Sequence, residues 1–255
     1  MPDWFATHPD TGDRVSKAHK IADGLVTNSN WRRNHGRAAH LAAIDGMLYG
    51  DAPDEGFIRG QDFLHPVLRF RFSVPDNFKL INSSQAVYAK GPEGAVIKFD
   101  VADADQSTQS YLTDIWAEGL RLKNISEINS NLDGVTAIHE QSDKTSRLVV
   151  LRAEQGKVYR FVMQSPSSAF EGLDDGFVTT ADGFKKLTIA EAGKLRPLKI
   201  KVLTVREDDR VQDFVKQMKG VEAPAEMFRI LNGLGAAEAL VAGTKVKIIT
   251  DSQVF

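Results

Sequence analysis

Leu68-Arg69-Phe70-Arg71-Phe72-Ser73-Val74-Pro75-Asp76-Asn77-Phe78 is the stretch that decides the fold. Leu68, Phe70, Phe72 and Val74 fall on one side of an extended chain, and Arg69, Arg71 and Ser73 on the other. Successive side chains of a strand point to opposite faces, so this alternation predicts a strand with one face buried and one wet. Pro75 ends it, since proline has no N–H for the ladder. The apolar face needs cover, and the residues downstream supply it.

Ala86 to Ala89 and Ala95 to Val101 flank Gly91-Pro92-Glu93-Gly94, so they form a hairpin around turn residues. Between Ser107 and Lys123, Leu112, Ile115, Trp116 and Leu120 share one stripe of a predicted amphipathic helix. Strands over 125–128, 135–139, 147–153 and 158–163 follow, punctuated by Asp133-Gly134 and Gln155-Gly156, and a helix closes the run near 170–184. Three strands, a helix, four strands and a helix argue an α+β domain, an antiparallel sheet covered by helices on one face. This order, opened by Phe70 to Phe78, resembles the PsbP-type α/β sandwich. The resemblance implies a fold used for binding and docking, and names no ligand.

Past Lys194 the pattern shortens. A strand around Leu198, Ile200 and Val202 leads through Thr204-Val205 to a helix with Val211, Phe214, Val215 and Met218 on one face. A second helix opens at Pro224, favoured in a first turn, carries Met227, Phe228, Ile230 and Leu231, and stops at Asn232-Gly233. Lys245-Val246-Lys247-Ile248-Ile249 is the closing strand. Thr204-Val205, Leu231-Asn232-Gly233-Leu234 and Ala242-Gly243-Thr244-Lys245-Val246-Lys247-Ile248 resemble the signature positions of LysM modules. That resemblance implies a glycan groove with Asp208, Asp209, Asn232 and Gly233 as ligand-binding residues. LysM modules usually carry Gly-Asp-Thr where this chain has Asp208-Asp209-Arg210.

Upstream, Pro9 holds His8 extended, and Asp10 or Thr11 caps a short helix with Val15, Ala18, Ile21 and Ala22 on one face. A second helical pattern runs from Trp31 to Tyr49, with Leu41, Ile44 and Leu48 at helical spacing. Gly50-Asp51-Ala52-Pro53-Asp54-Glu55-Gly56 is turn chemistry. Three regions are therefore expected: 1–56, helical with a linker; 57–194, the sandwich; and 195–255, the small module. Trp4-Phe5-Ala6-Thr7-His8-Pro9-Asp10-Thr11-Gly12-Asp13-Arg14-Val15 resembles the close of the catalytic domain in zinc metallopeptidases of the HtpX and CAAX-prenyl-protease family. The resemblance implies that the metal-binding helix precedes residue 1, and makes His8 a candidate near the parent active site.

The chemistry of the chain agrees with a non-catalytic role. Two imidazoles four apart on a helix would hold zinc, with Glu activating water in His-Glu-x-x-His. The nearest approach, His139-Glu140-Gln141-Ser142-Asp143, lacks the second His and sits in a predicted strand. His35 and His40 are five apart, about 140° around a helix, and do not share a face. His19 and His65 stand alone. Neither Gly-x-Ser-x-Gly nor a phosphate loop occurs. Asp174-Asp175 and Asp208-Asp209 read as turn or cap carboxylates. Lys185, Lys186, Lys194, Arg196, Lys199, Lys201 and Arg206 form the most basic region, read as the wet side of a strand or a contact for an anionic envelope polymer.

The 255 residues include no cysteine, so thiolate chemistry and disulfides are excluded. A formal net charge of -2 gives no general attraction to nucleic acid or anionic membrane, so any partner must be recognised by a local site. No apolar run reaches the roughly 20 residues of a membrane helix, and residues 1–23 lack the pattern of an export signal. The leading expectation is an accessory region that docks substrate or partner for a periplasmic or envelope zinc metalloprotease. No metal or cofactor is expected in this chain, and zinc is expected in the parent. The partners expected are the parent protease domain or a protein substrate. The alternative is a stand-alone peptidoglycan- or protein-binding module of the envelope.

Overall fold

The computed structural model describes residues 11–25, 36–83, 85–128, 132–153 and 156–251. Two compact units make up the chain, Met1–Asp45 and Gly46–Phe255. The first holds two helices, α1 (Thr11–Leu25) and α2 (Arg37–Ile44), with Leu41 of α2 buried. The predicted helix to Tyr49 stops at Ile44. Asp45 is extended (φ −64°, ψ 123°) and Gly46 adopts φ +82°, a left-handed value that glycine takes without steric cost and that ends the helix.

In the second unit β1 (Phe57–Arg59) and β2 (Asp62–His65) form a hairpin, and β3 (Phe70–Ser73) pairs with β2. Then come β4 (Lys79–Asn82), β5 (Val87–Lys90) and β6 (Val96–Asp103), with a 3₁₀ turn over Pro92–Gly94. A short helix α3 (Thr108–Ser110) runs into a π-helical segment, Tyr111–Trp116. Four more strands follow, β7 (Leu122–Glu127), β8 (Gly134–Glu140), β9 (Lys144–Arg152) and β10 (Lys157–Pro166). Helix α4 (Ser167–Asp182), a two-residue strand β11 (Lys185–Lys186) and the short helix α5 (Ile189–Ala192) complete this part. Seven strands make one antiparallel sheet, ordered β4-β5-β6-β10-β9-β8-β7, and four make another, ordered β1-β2-β3-β11.

The deciding stretch behaves as its alternation requires. Phe70, Phe72 and Val74 are buried while Arg71 and Ser73 are exposed. They meet the large sheet in an aromatic core, where Phe72 lies edge-on to Phe161 at 5.1 Å and Phe70 stacks on Phe184 at 5.3 Å. Burying each such ring stabilises the fold by about 1.5–3 kcal/mol. Helix α4 adds Phe170 and Phe177 to the same core. The opposite face of the large sheet packs Leu148, Val150 and Val158 against Tyr111 and Leu112. Both faces are therefore covered, where helices on one face were expected. The unbroken run Leu148-Val149-Val150-Leu151 follows from this, because alternate residues serve different cores.

Local expectations are corrected in two places. Leu68 does not continue the strand; it is in the β2–β3 turn and is exposed. The helix expected to reach Lys123 ends at Trp116, because the π-helical turn shifts the phase of the stripe. Ile115 and Leu120 thus lie exposed, and Leu122 starts a strand. The β1–β2 hairpin and β4 are further additions, too short for a periodic signal.

The remainder is a small layered module. Strand β12 (Lys199–Thr204) pairs antiparallel with β13 (Lys245–Thr250), and helices α6 (Val211–Val215) and α7 (Pro224–Asn232) lie between them in sequence. Phe214 and Phe228 stack at 5.6 Å above Val246, Ile248 and Ile249. Residues 46–49 add an edge to this sheet. Gly46 N–H donates to the Ile200 carbonyl, Ile200 N–H to Met47, and Tyr49 N–H to Leu198, with Leu48 bridging Lys199. Leu48, expected on a helix, is instead extended.

Candidate functional site

The sandwich opens at the end where the β2–β3 turn meets the β9–β10 hairpin. An open cleft of about 890 Å³ is lined there by Val67, Leu68, Arg69, Val101, Ala153, Lys157 and Tyr159. Val67 is 61% exposed and Leu68 49%, and Val101 of β6 is also exposed. Tyr159 forms the floor and stacks against Phe99 at 5.7 Å. An apolar rim over an aromatic floor, with Arg69 and Lys157 at its edge, is suited to holding an extended peptide or another apolar segment.

The turn that carries this rim is fixed by a histidine. His65, buried between Phe63 and Phe70, accepts the Leu68 N–H on Nδ1 at 3.1 Å and hydrogen-bonds the Asp54 backbone. Nδ1 as acceptor leaves the proton on Nε2, so the ring is neutral. Burial pushes its pKa below the ordinary value of 6.5, outweighing the opposite effect of Asp54. Arg69 takes a left-handed φ of 55°, and its carbonyl accepts the Leu187 N–H at 2.7 Å.

A smaller cleft of about 250 Å³ adjoins, sharing Leu68 and Val101 and adding Asp54, Glu55, His65 and Asn82. The Asn82 amide donates to the Glu55 carbonyl at 3.0 Å, while its Oδ1 is buried and accepts no hydrogen bond among the described residues.

A pH dependence follows. The unfolded chain protonates His65 more readily than the folded one, so folding stability is full above pH 6.5 and falls as pH drops toward the lowered folded pKa. Melting temperature should therefore fall between pH 7.5 and 5.5, before the carboxylates titrate, and the slope should shrink in His65→Gln. Equal slopes in both proteins would remove His65 as the cause.

Of the residues singled out from sequence, His65 lies beside this mouth, while Asp208, Asp209, Asn232 and Gly233 line neither cleft. His8 is outside the described residues. Asp209 Oδ2 accepts the Arg206 N–H at 2.7 Å in the turn before α6, with Asp208 exposed beside it. Asn232 has its amide engaged: Nδ2 donates to the Phe228 and Lys247 carbonyls, both at 2.9 Å, and Oδ1 accepts the Lys247 N–H at 2.7 Å. Gly233 closes α7 at φ +65°. Asn232 and Gly233 thus have structural work of their own. His40 and His19 are exposed on helices, and His35 is not described. Glu140 pairs with Lys123 at 2.5 Å and His139 contacts the Arg121 carbonyl at 3.3 Å. Among the described residues no three His, Asp or Glu side chains cluster as a metal site.

Two buried polar groupings were not read from sequence. Asp174, expected as a turn or cap carboxylate without a partner, lies inside α4. It holds Arg147 of β9 in a two-pronged pair, Nε–Oδ1 2.7 Å and Nη2–Oδ2 2.6 Å, while Arg147 Nη1 donates to Thr136 at 3.0 Å. On the other face Arg160 Nε meets Asp100 at 2.7 Å, its Nη1 reaches the Tyr111 hydroxyl at 3.1 Å, and its guanidinium lies 5.1 Å from the Trp116 ring. Burial would raise the Asp100 pKa, but hydrogen bonds from Arg160 and Lys98 win and hold it below the ordinary range. The cross-strand pairing Arg160↔Asp100 was the available signal, legible only with the register in hand.

No protein-family model matches the sequence, and no curated protein does. Several solved structures are similar, three of them as follows. A Bacteroides thetaiotaomicron VPI-5482 protein shares 13% identity at a TM-score of 0.37 over 63% of this chain, which spans 57% of that protein. Cyanobacterial PsbP (CyanoP) from Synechocystis sp. PCC 6803 shares 12% at 0.38, over 55% of this chain and 98% of that one. LpqN of Mycobacterium tuberculosis, involved in cell envelope biogenesis, shares 12% at 0.32, over 61% and 99%. Among the described residues no helix is long and apolar enough to cross a membrane.

Proposed function

We propose that the chain is a docking region of a cell-envelope zinc metallopeptidase of the HtpX and CAAX-prenyl-protease kind. In this reading the mouth of the sandwich receives an extended segment of substrate or partner. The observation that carries it is the rim of Val67 and Leu68, apolar and exposed above a cleft of about 890 Å³ and held in place through His65. Exposed apolar side chains on a fixed turn lower the entropy cost of capturing a flexible chain. The peptidase assignment comes from the likeness of Trp4 to Val15 to the end of such a catalytic domain.

The test uses the full-length peptidase carrying Leu68→Asp. Cleavage of a folded or long protein substrate should fall about tenfold in kcat/KM, as expected for losing one buried apolar anchor and adding a charge. Cleavage of a short peptide that reaches only the catalytic domain should be unchanged. The same effect of Leu68→Asp on both substrates would exclude the mouth as a docking site, and the absence of any metal-dependent activity would exclude the peptidase reading.

A second reading is favoured by the order strand, helix, helix, strand over Lys199–Thr250, the layout of a LysM module. Here the small module binds peptidoglycan through the turn at Asp208 and Asp209 and the end of α7. Because Asn232 is engaged with β13, glycan contacts would fall to the exposed Asp208 and to backbone groups beside Gly233. Retention on purified peptidoglycan, lost on Asp208→Lys, separates this reading from the first.

A further inference from the structure

Among the described residues, the face of the large sheet opposite the aromatic core is covered over only part of its width. Tyr111 and Leu112 pack on the half built from β8, β9 and β10. Beyond them β4, β5 and β6 present the same face outward. The ladder places Lys79 opposite Lys90, Lys90 opposite Val96, Ile81 opposite Tyr88, and Tyr88 opposite Lys98. Their neighbours in sequence, Leu80, Ala89 and Ile97, belong to the aromatic core, so these residues point the other way. Ile81 is 39% exposed, Tyr88 36% and Val96 37%. Each of the three strands thus contributes one lysine and one apolar side chain to this face.

One feature of this surface calls for an anion. Like charges directly opposite on neighbouring strands repel, and Lys79 faces Lys90. Asp100 compensates Lys98 at 2.8 Å and also pairs with Arg160, whereas Lys79 and Lys90 have no ion pair among the described residues. Glu93 lies on the turn between β5 and β6, at the rim. The apolar members narrow the choice of anion. A soluble polyanion gains nothing from Ile81 and Val96, whereas a bilayer accepts aliphatic side chains at its surface, takes tyrosine at the headgroup level and lets lysines reach phosphate. We propose that the open half-face formed by Lys79, Ile81, Tyr88, Lys90, Val96 and Lys98 is a peripheral docking surface for an anionic lipid bilayer. This inference does not depend on the peptidase reading.

The experiment is co-sedimentation of the whole chain with vesicles of phosphatidylcholine containing phosphatidylglycerol, against phosphatidylcholine alone. Binding should require phosphatidylglycerol and should weaken in high salt, as screening shortens the reach of each lysine. Lys79→Glu/Lys90→Glu should lower partitioning roughly twentyfold or more, each lysine near an anionic surface being worth about a fivefold factor. Ile81→Ser/Tyr88→Ser should also weaken it, with circular dichroism unchanged in both. Failure of the parent chain to sediment with anionic vesicles would overturn the proposal. So would undiminished binding by the Lys79→Glu/Lys90→Glu variant. Lysine-dependent binding to soluble heparin that is insensitive to Ile81→Ser/Tyr88→Ser would assign the patch to a free polyanion instead.

Discussion

Asp174→Ala should cost the sandwich about 3–5 kcal/mol, the usual penalty for stranding one partner of a buried ion pair. Arg147 is almost wholly buried beneath α4, and its contacts are the two carboxylate oxygens of Asp174 and the Thr136 hydroxyl. Removing the carboxylate leaves a guanidinium that cannot shed its charge and is itself only 9% exposed. The pair also joins α4 to β9, so its loss should loosen the helix before the sheet. Urea denaturation followed by circular dichroism measures the effect. The decisive control is Arg147→Met/Asp174→Leu, which removes both charges and should recover most of the loss, because apolar packing often equals or exceeds a buried pair. Thr136 survives that change, since its hydroxyl also donates to the Leu148 carbonyl at 3.1 Å. A double variant as unstable as Asp174→Ala would show that helix packing, and not charge, sets the cost.

Asn232→Ala should destabilise the small module by about 2–3 kcal/mol, through three lost hydrogen bonds worth about 1 kcal/mol each. The amide of Asn232 stands where another strand would stand, taking both the N–H and the carbonyl of Lys247 on the outer side of β13. Lys219 N–H treats the Ile249 carbonyl in the same way at 3.2 Å. Together they close an edge that would otherwise be open to pairing with another chain. Hydrogen exchange at residues 245–250 reads the effect locally, and should quicken roughly thirty- to hundredfold. Asn232→Asp keeps the acceptor and loses the donor, so it should fall between. Exchange rates unchanged in Asn232→Ala would mean the edge is protected by something else.

What could be read from sequence was what periodicity records. Phe70, Phe72 and Val74 announced a half-buried strand because burial there follows a period of two, and Met227, Phe228 and Leu231 announced α7 because it follows one near 3.6. The segments that escaped have no such record. β1, β4 and residues 46–49 are three or four residues long and are set by pairing with distant strands, which local sequence does not encode. Leu68 followed the period yet fell in a turn, and that exception puts an apolar side chain at the mouth of the cleft. The site itself was invisible for the same reason: Val67, Val101, Lys157 and Tyr159 come together only once the sheets are stacked. The LysM likeness picked out Asn232 and Gly233 as ligand-binding residues, whereas in the fold the Asn232 amide is engaged by Phe228 and Lys247 and Gly233 ends α7.

The four residues 46–49 pair with β12, so the small module begins before the sandwich and ends after it. Roughly 150 residues are thereby inserted between neighbouring strands of one sheet, and both ends of the sandwich leave from the same place. In a molecule pulled from its N-terminal side, tension arrives at Gly46 and passes through the backbone bonds to Ile200 and Leu198, leaving the aromatic core outside the line of force. The sandwich hangs from this clasp as a side branch, able to keep its shape while the small sheet yields first.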